Sequence, residues 1–359
     1  MSAFYDAQGL LSTLDMNGEK PELYIVCSRV RGPGKTFSLT RHLMQTYLDT
    51  GGKFVLIART RAETGNVADG MMKSMLDTLH PGMSVTEKIR MGGAYSDVYL
   101  RQLDGEEDEN GNPSFTQEHC GYVIALNAAD AIKKVSSKFT DSVHAFFDEF
   151  QPDNMETYLS NEVGKFLTVH GSIARGEGQS RRYYPVYMSS NTINIANPYF
   201  VELGLTNKIQ PDTKKYRGDG VVFQRATNEP LVDKHANTPM SRAFSGNKTI
   251  SYSDNSWMND NNAGVGKPKD WGRSAYSCTL DRGGQRFGLF YYPEAGLLYL
   301  GHNYDKECPI IYRVMIDGES NMPLIKSSET GVMIRKAITR GAMRFQDQVC
   351  KQFAMEFLV

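Results

Sequence analysis

Two clusters of residues in this chain have the types and spacing for phosphate chemistry. The first is Val30-Arg31-Gly32-Pro33-Gly34-Lys35-Thr36, which follows the apolar run Leu23-Tyr24-Ile25-Val26-Cys27. A buried strand feeding a glycine-rich turn and then a helix cradles nucleotide phosphates. The N–H groups of the turn point inward, the lysine reaches the β/γ oxygens and the threonine hydroxyl takes Mg²⁺. Arg31, Gly32, Pro33, Gly34, Lys35 and Thr36 are therefore the expected nucleotide-binding residues. The pattern departs from the full motif in two places. Arg29 stands where the first glycine belongs, and Pro33 removes one N–H from the phosphate nest.

The second cluster is Asp148-Glu149, at the end of the apolar stretch Ser142-Val143-His144-Ala145-Phe146-Phe147. Carboxylates at the C-terminal end of a buried parallel strand suit a nucleotide site, because ligands sit outside that end of such sheets. Asp148 is expected to anchor Mg²⁺ beside Thr36, and Glu149 to orient and deprotonate an attacking water. A third candidate strand, Tyr183 to Met188, ends in Ser189-Ser190-Asn191. Asn191 can touch a γ-phosphate or the lytic water there, although an asparagine in that position also caps turns.

At 359 residues the chain has room for two domains. The net charge of −1 advertises no global affinity for nucleic acid, so any such contact must come from local patches. The five cysteines show no metal-ligand spacing, which suits a reduced, intracellular chain. Met1 to Lys20 is polar and mixed, unlike a signal peptide, and no run of 18 apolar residues suggests a membrane span.

These sites need elements to hold them. Leu39, Leu43 and Tyr47 recur at helical spacing up to Gly51-Gly52, and Lys53 to Ala58 reads as a second strand. The opening is thus strand, loop, helix, strand, the start of an α/β sheet. Asp104 to Pro113 reads as an exposed hairpin tip. Asn154 is expected to cap a helix through Ile173, followed by a loop with Gly176 and Gly178 that presents Arg175. Gly218 to Ala226 reads as a last strand. Further on, Gln285 to Tyr292 and Leu297 to Leu300 flank a turn, and Gly331 to Leu358 reads as helical. The expected division is a P-loop domain over 1–226, a linker over 227–256 and a small α+β domain over 257–359.

Beyond the two nucleotide motifs, several stretches resemble the DNA-packaging ATPases of phi29-like bacteriophages. They are Phe146-Phe147-Asp148-Glu149-Phe150, Asn161-Glu162-Val163, Ser190-Asn191 followed by Asn197-Pro198-Tyr199-Phe200, Gly296 to Tyr299, and Met343 to Val349. The resemblance implies an ATP-driven motor, a homopentameric ring at the portal of a procapsid in the host cytoplasm, pushing double-stranded DNA inward. It implies an additional-strand P-loop core with a parallel-rich sheet, similar to cellular DNA translocases. The second domain would resemble a vestigial RNase H-like nuclease that helps dock the motor on the portal, in some members through a packaging RNA. By the same resemblance Lys35, Thr36, Asp148, Glu149 and Asn191 take the roles given above. Arg175 takes the place of a trans-acting arginine finger, with Arg181 and Arg182 as competitors. Lys134 falls near a second basic residue at the subunit interface, with Lys133 as its rival.

A translocase holds the duplex through its phosphates. Arg59 and Arg61, just after the second strand, are the candidates for that contact. In the tail, Lys336, Arg340 and Arg344 are spaced to share one helix face. No strand-borne set of acids in the second domain stands out for two-metal cleavage, so no nuclease is expected. Three other readings compete: a terminase-type motor with an active nuclease, a P-loop protein that binds nucleic acid without hydrolysis, and a small-molecule kinase, which leaves the second domain and the Asn197-Pro198-Tyr199-Phe200 match unexplained.

Overall fold

The computed structural model describes residues 13–28, 34–107, 113–152, 158–175, 181–191, 197–205, 208–209, 213–226, 239, 264–266, 269–282, 285–314, 323–325 and 328–357. The chain divides into two compact units. One comprises residues 1–193 with 211–258, the other 194–210 with 259–359. The segment 194–210 thus clusters with the second unit, whereas the sequence division at 226 leaves it in the first.

The first unit is built on one sheet. Its strands are β1 (Leu23–Ser28), β2 (Lys53–Ala58), β3 (Met83–Arg90), β4 (Tyr95–Glu107), β5 (Pro113–Ala125), β6 (Ser142–Asp148), β7 (Val186–Asn191), β8 (Lys215–Arg217) and β9 (Val221–Arg225). They run in the order β3-β4-β5-β2-β6-β7-β1-β9-β8. The central strands from β5 to β9 are parallel; β3, β4 and β8 pair antiparallel at the edges. Strands buried on both faces need continuous apolar runs rather than alternation, and β1 and β2 have them: each is buried from its second residue onward. The position of β7 decides the class. It lies between β1 and β6, so a strand is added between the loop-bearing strand and the carboxylate-bearing one.

Helix α1 (Lys35–Thr50) buries Leu39, Leu43 and Met44 in a core shared with Val26, Leu56 and Phe146 of the sheet. Burying each such side chain stabilises the fold by about 1.5–3 kcal/mol. Gly51 ends the helix in the left-handed region, at φ 75°, with its N–H on the Tyr47 carbonyl. Among the described residues, the unit also holds helices α2 (Val67–Leu79), α3 (Ala129–Lys134) and α4 (Glu162–Ile173).

Three expected boundaries move. The strand expected over 218–226 is a hairpin, β8–β9: Gly218-Asp219-Gly220 forms its turn, with Gly220 at φ 64° and the Gly218 N–H on the Val221 carbonyl. The strand read at Tyr183 begins at Val186 and continues through Asn191. Helix α4 starts at Glu162, not near Asn154, which lies outside the described residues. Asn161 sits before it at φ 51°, a conformation that cannot continue a helix, and the Glu162 carboxylate accepts from the Leu159 N–H.

The second unit holds α5 (Pro198–Glu202), capped by Asn197 accepting from the Phe200 N–H, and a five-stranded sheet. Its strands β10 (Ala275–Arg282), β11 (Gln285–Tyr292), β12 (Leu297–Gly301), β13 (Ile311–Arg313) and β14 (Met343–Phe345) run in the order β13-β10-β11-β12-β14. Leu280, Phe287, Leu289, Leu300 and Phe353 form its core, with the rings of Phe287 and Phe353 stacked at 4.2 Å. The tail expected to be helical is two helices, α6 (Glu329–Thr339) and α7 (Gln348–Phe357), separated by β14. Gly341, at φ 65°, lets the Ala342 N–H reach back to the Ala337 carbonyl, which closes α6. The expected basic helix face therefore does not form. Arg340 ends α6, and Arg344 lies in β14 with its guanidinium on the Gly341 and Met343 carbonyls.

Candidate active site

Because β1, β7 and β6 are parallel neighbours, their C-terminal ends meet at one edge. Ser28 pairs in register with Asn191, and Asp148 with Ser189. The turn residues Arg31, Gly32 and Pro33 lie outside the described residues, as does Arg29. Gly34 is at φ 86° and sits at the N-cap of α1 without a side-chain cap. A residue with a Cβ is strained in that conformation, and an uncapped helix start leaves first-turn amides for an anion.

Lys35 is buried, and its Nζ donates to Ser28 Oγ at 2.6 Å. Burial lowers its pKa, while the carboxylates of Glu149 and Asp148 pull it back up. Thr36 Oγ1 donates to Asp148 Oδ2 at 2.6 Å. The loop-bearing helix and the acidic strand, 112 positions apart, thus deliver two hard oxygens to one point. That donor set fits Mg²⁺. The other carboxylate oxygen, Asp148 Oδ1, accepts from Ser189 Oγ and from the Glu149 N–H. Ser189 is a site residue that the sequence reading missed, because its role follows from the register of β7 against β6.

Glu149 is exposed and sits at φ 48°, one of the few non-glycine residues in the left-handed region. Strain of this kind collects at functional turns. Asn191 closes β7 directly across from Ser28.

The basic residues separate clearly. Arg175 follows α4, is exposed, and among the described residues its side chain has no partner; its backbone bridges Arg181. Arg181 is taken up by Glu22 at 3.1 Å and His170 Nδ1 at 2.8 Å. Arg182 is occupied by the backbone, donating to the carbonyls of Phe139, Thr140, Ser142 and Ile173. Lys133 and Lys134 are both exposed at the end of α3. Arg61 is exposed as well.

Arg59 overturns the expectation placed on it. It is buried, with Nε donating to Glu162 Oε2 at 2.9 Å and Nη2 to the Phe150 carbonyl at 2.9 Å. A guanidinium enclosed in this way cannot grip a duplex.

Comparison with known proteins bears on the rest of the assignment. The profile of the Podovirus DNA encapsidation protein (Gp16) family matches residues 107–359, well over half of the chain. The chain belongs to that family. A DNA packaging protein of Bacillus phage B103 is 22% identical over 334 residues, covering 91% of this chain and 93% of the relative. Among solved structures, the bacteriophage Phi-29 viral genome packaging motor assembly is similar with a TM-score of 0.58, at 20% identity, over 99% of this chain and 98% of that one. The Phi-28 gp11 DNA packaging motor is similar with a TM-score of 0.60, at 17% identity and the same coverage. At these identities the two structures establish the fold, and it is the additional-strand architecture already visible in the position of β7. As a member of the DNA encapsidation family, the chain serves viral genome packaging.

Proposed function

We propose that this DNA encapsidation protein is the ATP-hydrolysing subunit of the motor that drives double-stranded DNA into a procapsid. The observation that carries the reading is the 2.6 Å contact between Thr36 Oγ1, in the first turn of α1, and Asp148 Oδ2, at the end of β6. Lys35 holds the β/γ oxygens of ATP, whose negative charge adds to that of Glu149 and Asp148 in stabilising its buried ammonium. Thr36 and Asp148 would hold Mg²⁺, which neutralises charge on the phosphate oxygens when bound. Ser189 keeps the Asp148 carboxylate turned towards Thr36.

Glu149 takes the proton of the attacking water, its exposed carboxylate projecting from a strained turn. Asn191, which ends β7 across from Ser28, reports on the γ-phosphate. Arg175, uncommitted among the described residues of its own chain, reaches the site of a neighbouring subunit, where such a finger contributes roughly 10³–10⁵ in rate. Lys134 lies on the same interface. This arrangement requires a ring, and the resemblance to phi29-like motors supports five subunits at the portal vertex in the host cell, with a packaging RNA in some relatives. Arg61 remains the candidate for contact with DNA phosphates.

No nuclease is proposed for the second unit. Asp281 is paired with Arg286 at 2.8 Å, and Asp347 is occupied by His302 at 2.7 Å and by the Cys350 N–H. Its portal-docking role rests on the family resemblance.

The test is ATP turnover with and without double-stranded DNA, for the wild type and Asp148→Asn. DNA-stimulated hydrolysis that falls at least 100-fold in the variant is expected. Hydrolysis that survives the substitution would contradict the site.

A further inference from the structure

The buried arginine that leaves the DNA surface has a second consequence. Arg59 stands at the end of β2 with its backbone pinned on both sides: its N–H donates to Glu63 Oε2 at 3.0 Å, and its carbonyl accepts from the Asn127 N–H at 3.1 Å. Its planar fork then joins two segments distant in sequence. One arm meets the Glu162 carboxylate, at 2.9 Å from Nε and 3.2 Å from Nη2. The same Nη2 also meets the carbonyls of Phe150, at 2.9 Å, and Glu149, at 3.4 Å. The rings of Phe147 and Tyr158 flank the guanidinium at 5.4 and 5.7 Å. The side chains of Arg59 and Glu162 are only 9% and 1% exposed, so the pair is sealed from water.

The two joined segments are those that the mechanism needs to move together. Glu149 is held at φ 48°. A non-glycine residue stays in that region only when its surroundings impose it. Arg59 secures the carbonyl side of that turn, and the Phe150 N–H on the Ser189 carbonyl secures the other. Glu162 is the first residue of α4, and Arg175 follows the last turn of the same helix. Twelve helical residues make a rod of about 18 Å. The base is therefore anchored at one end of the rod and the interface arginine is carried at the other.

We propose that Arg59 is a positioning residue for hydrolysis, clamping the Glu149 turn to the start of α4 so that the state of one subunit's catalytic base sets the placement of the Arg175 it offers to its neighbour. This rests on the reading of Glu149 and Arg175 given above. Arginine has the geometry for it: its rigid planar fork can meet the Glu162 carboxylate with two N–H groups and still reach the carbonyls, whereas the three donors of lysine radiate from one nitrogen and cannot reproduce that two-pronged contact.

The test uses the full-length protein and three variants: Arg59→Lys, Glu162→Gln, and the double Arg59→Met/Glu162→Met, which removes both charges and leaves no orphan charge in the interior. Affinity for ADP stays within about two-fold of wild type in all three, because Lys35 and Thr36 are untouched. The kcat for ATP falls about 100-fold with little change in KM, the signature of a misplaced base rather than lost binding. The double variant is no worse than the worst single one, since all three break the same clamp.

Amide hydrogen exchange gives a readout independent of turnover. Arg59→Lys is expected to loosen residues 148–151 and 159–164 together, while 38–48 of α1 stay protected. A kcat within three-fold of wild type would overturn the proposal, as would loosening of one segment without the other. Concerted loosening in Arg59→Lys, alongside a wild type that does not hydrolyse ATP, would instead place the error in the assignment of the chemistry, not in the clamp.

Discussion

Removing the Thr36 hydroxyl without changing the shape of the side chain isolates its role as a metal ligand. Thr36→Val keeps the volume and the β-branch, so α1 still starts at the same place. It deletes the 2.6 Å donor to Asp148 Oδ2. A hydrogen bond to a charged group contributes about 1.5–3 kcal/mol. Thr36 is only half-buried, and Asp148 keeps Ser189 and the Glu149 N–H, so the stability cost belongs at the lower end of that range. The effect on nucleotide affinity is different in kind. In the wild type the hydroxyl must give up Asp148 to turn to a metal, and the valine variant has no such bond to give up. Losing a group that orients or binds a metal weakens it about 10–100-fold, and this offset puts the net effect nearer ten-fold. The assay is titration with ADP in Mg²⁺ and again in EDTA, alongside Thr36→Ser, which keeps the oxygen. The valine variant should bind about ten-fold more weakly in Mg²⁺ and unchanged in EDTA, with serine close to wild type in both. Equal losses in Mg²⁺ and EDTA would refute the reasoning, because they would show that the hydroxyl acts on the loop and not on a metal.

Three further outcomes are expected. Glu162→Gln leaves Arg59 buried without its counter-charge and should cost about 3–5 kcal/mol in urea unfolding followed by circular dichroism, with most of that recovered by Arg59→Met/Glu162→Met. Arg182→Ala abandons four backbone carbonyls and should destabilise the protein by more than about 2 kcal/mol, while the exposed Arg175→Ala changes stability by less than about 0.5 kcal/mol; the reverse pattern would exchange their structural and functional roles. His144 is buried neutral, and desolvation lowers its pKa to about 3 from an ordinary 6.5. The unfolded chain then binds the extra proton first as pH falls, so this stability is complete above pH 6.5 and is lost between 6.5 and 3, by about 1.4 kcal/mol per pH unit. His144→Phe, in a pocket lined by the rings of His42 and Tyr187, should flatten that part of the pH–stability curve, and an unchanged slope would contradict the assignment.

What the sequence disclosed depended on how local its cause was. The second strand lies where its apolar run places it, and the turn between β11 and β12 falls on Pro293 to Gly296, because short apolar runs and turn residues act over a few positions. Asp148 was legible for the same reason, as the acid that ends a buried strand. Ser189 was not, since nothing marks it until β7 inserts beside β6 and aligns the two. Arg59 was misread because an arginine after a strand is ordinarily solvated. What buries it is Glu162, 103 residues later. The α6–β14–α7 tail looked like one helix because Gly341 is a single residue in an otherwise periodic stretch, and only the place that β14 takes beside β12 accounts for the break.

The central claim is a ring of subunits that complete one another's sites. The most direct measurement is DNA-stimulated ATP hydrolysis by Glu149→Gln protein, by Arg175→Ala protein, and by the two mixed. Each variant alone should be nearly inactive. The mixture should recover part of the rate, because a subunit with an intact Glu149 then meets a neighbour with an intact Arg175. A mixture no more active than its components, or an Arg175→Ala protein with wild-type turnover, would contradict the account.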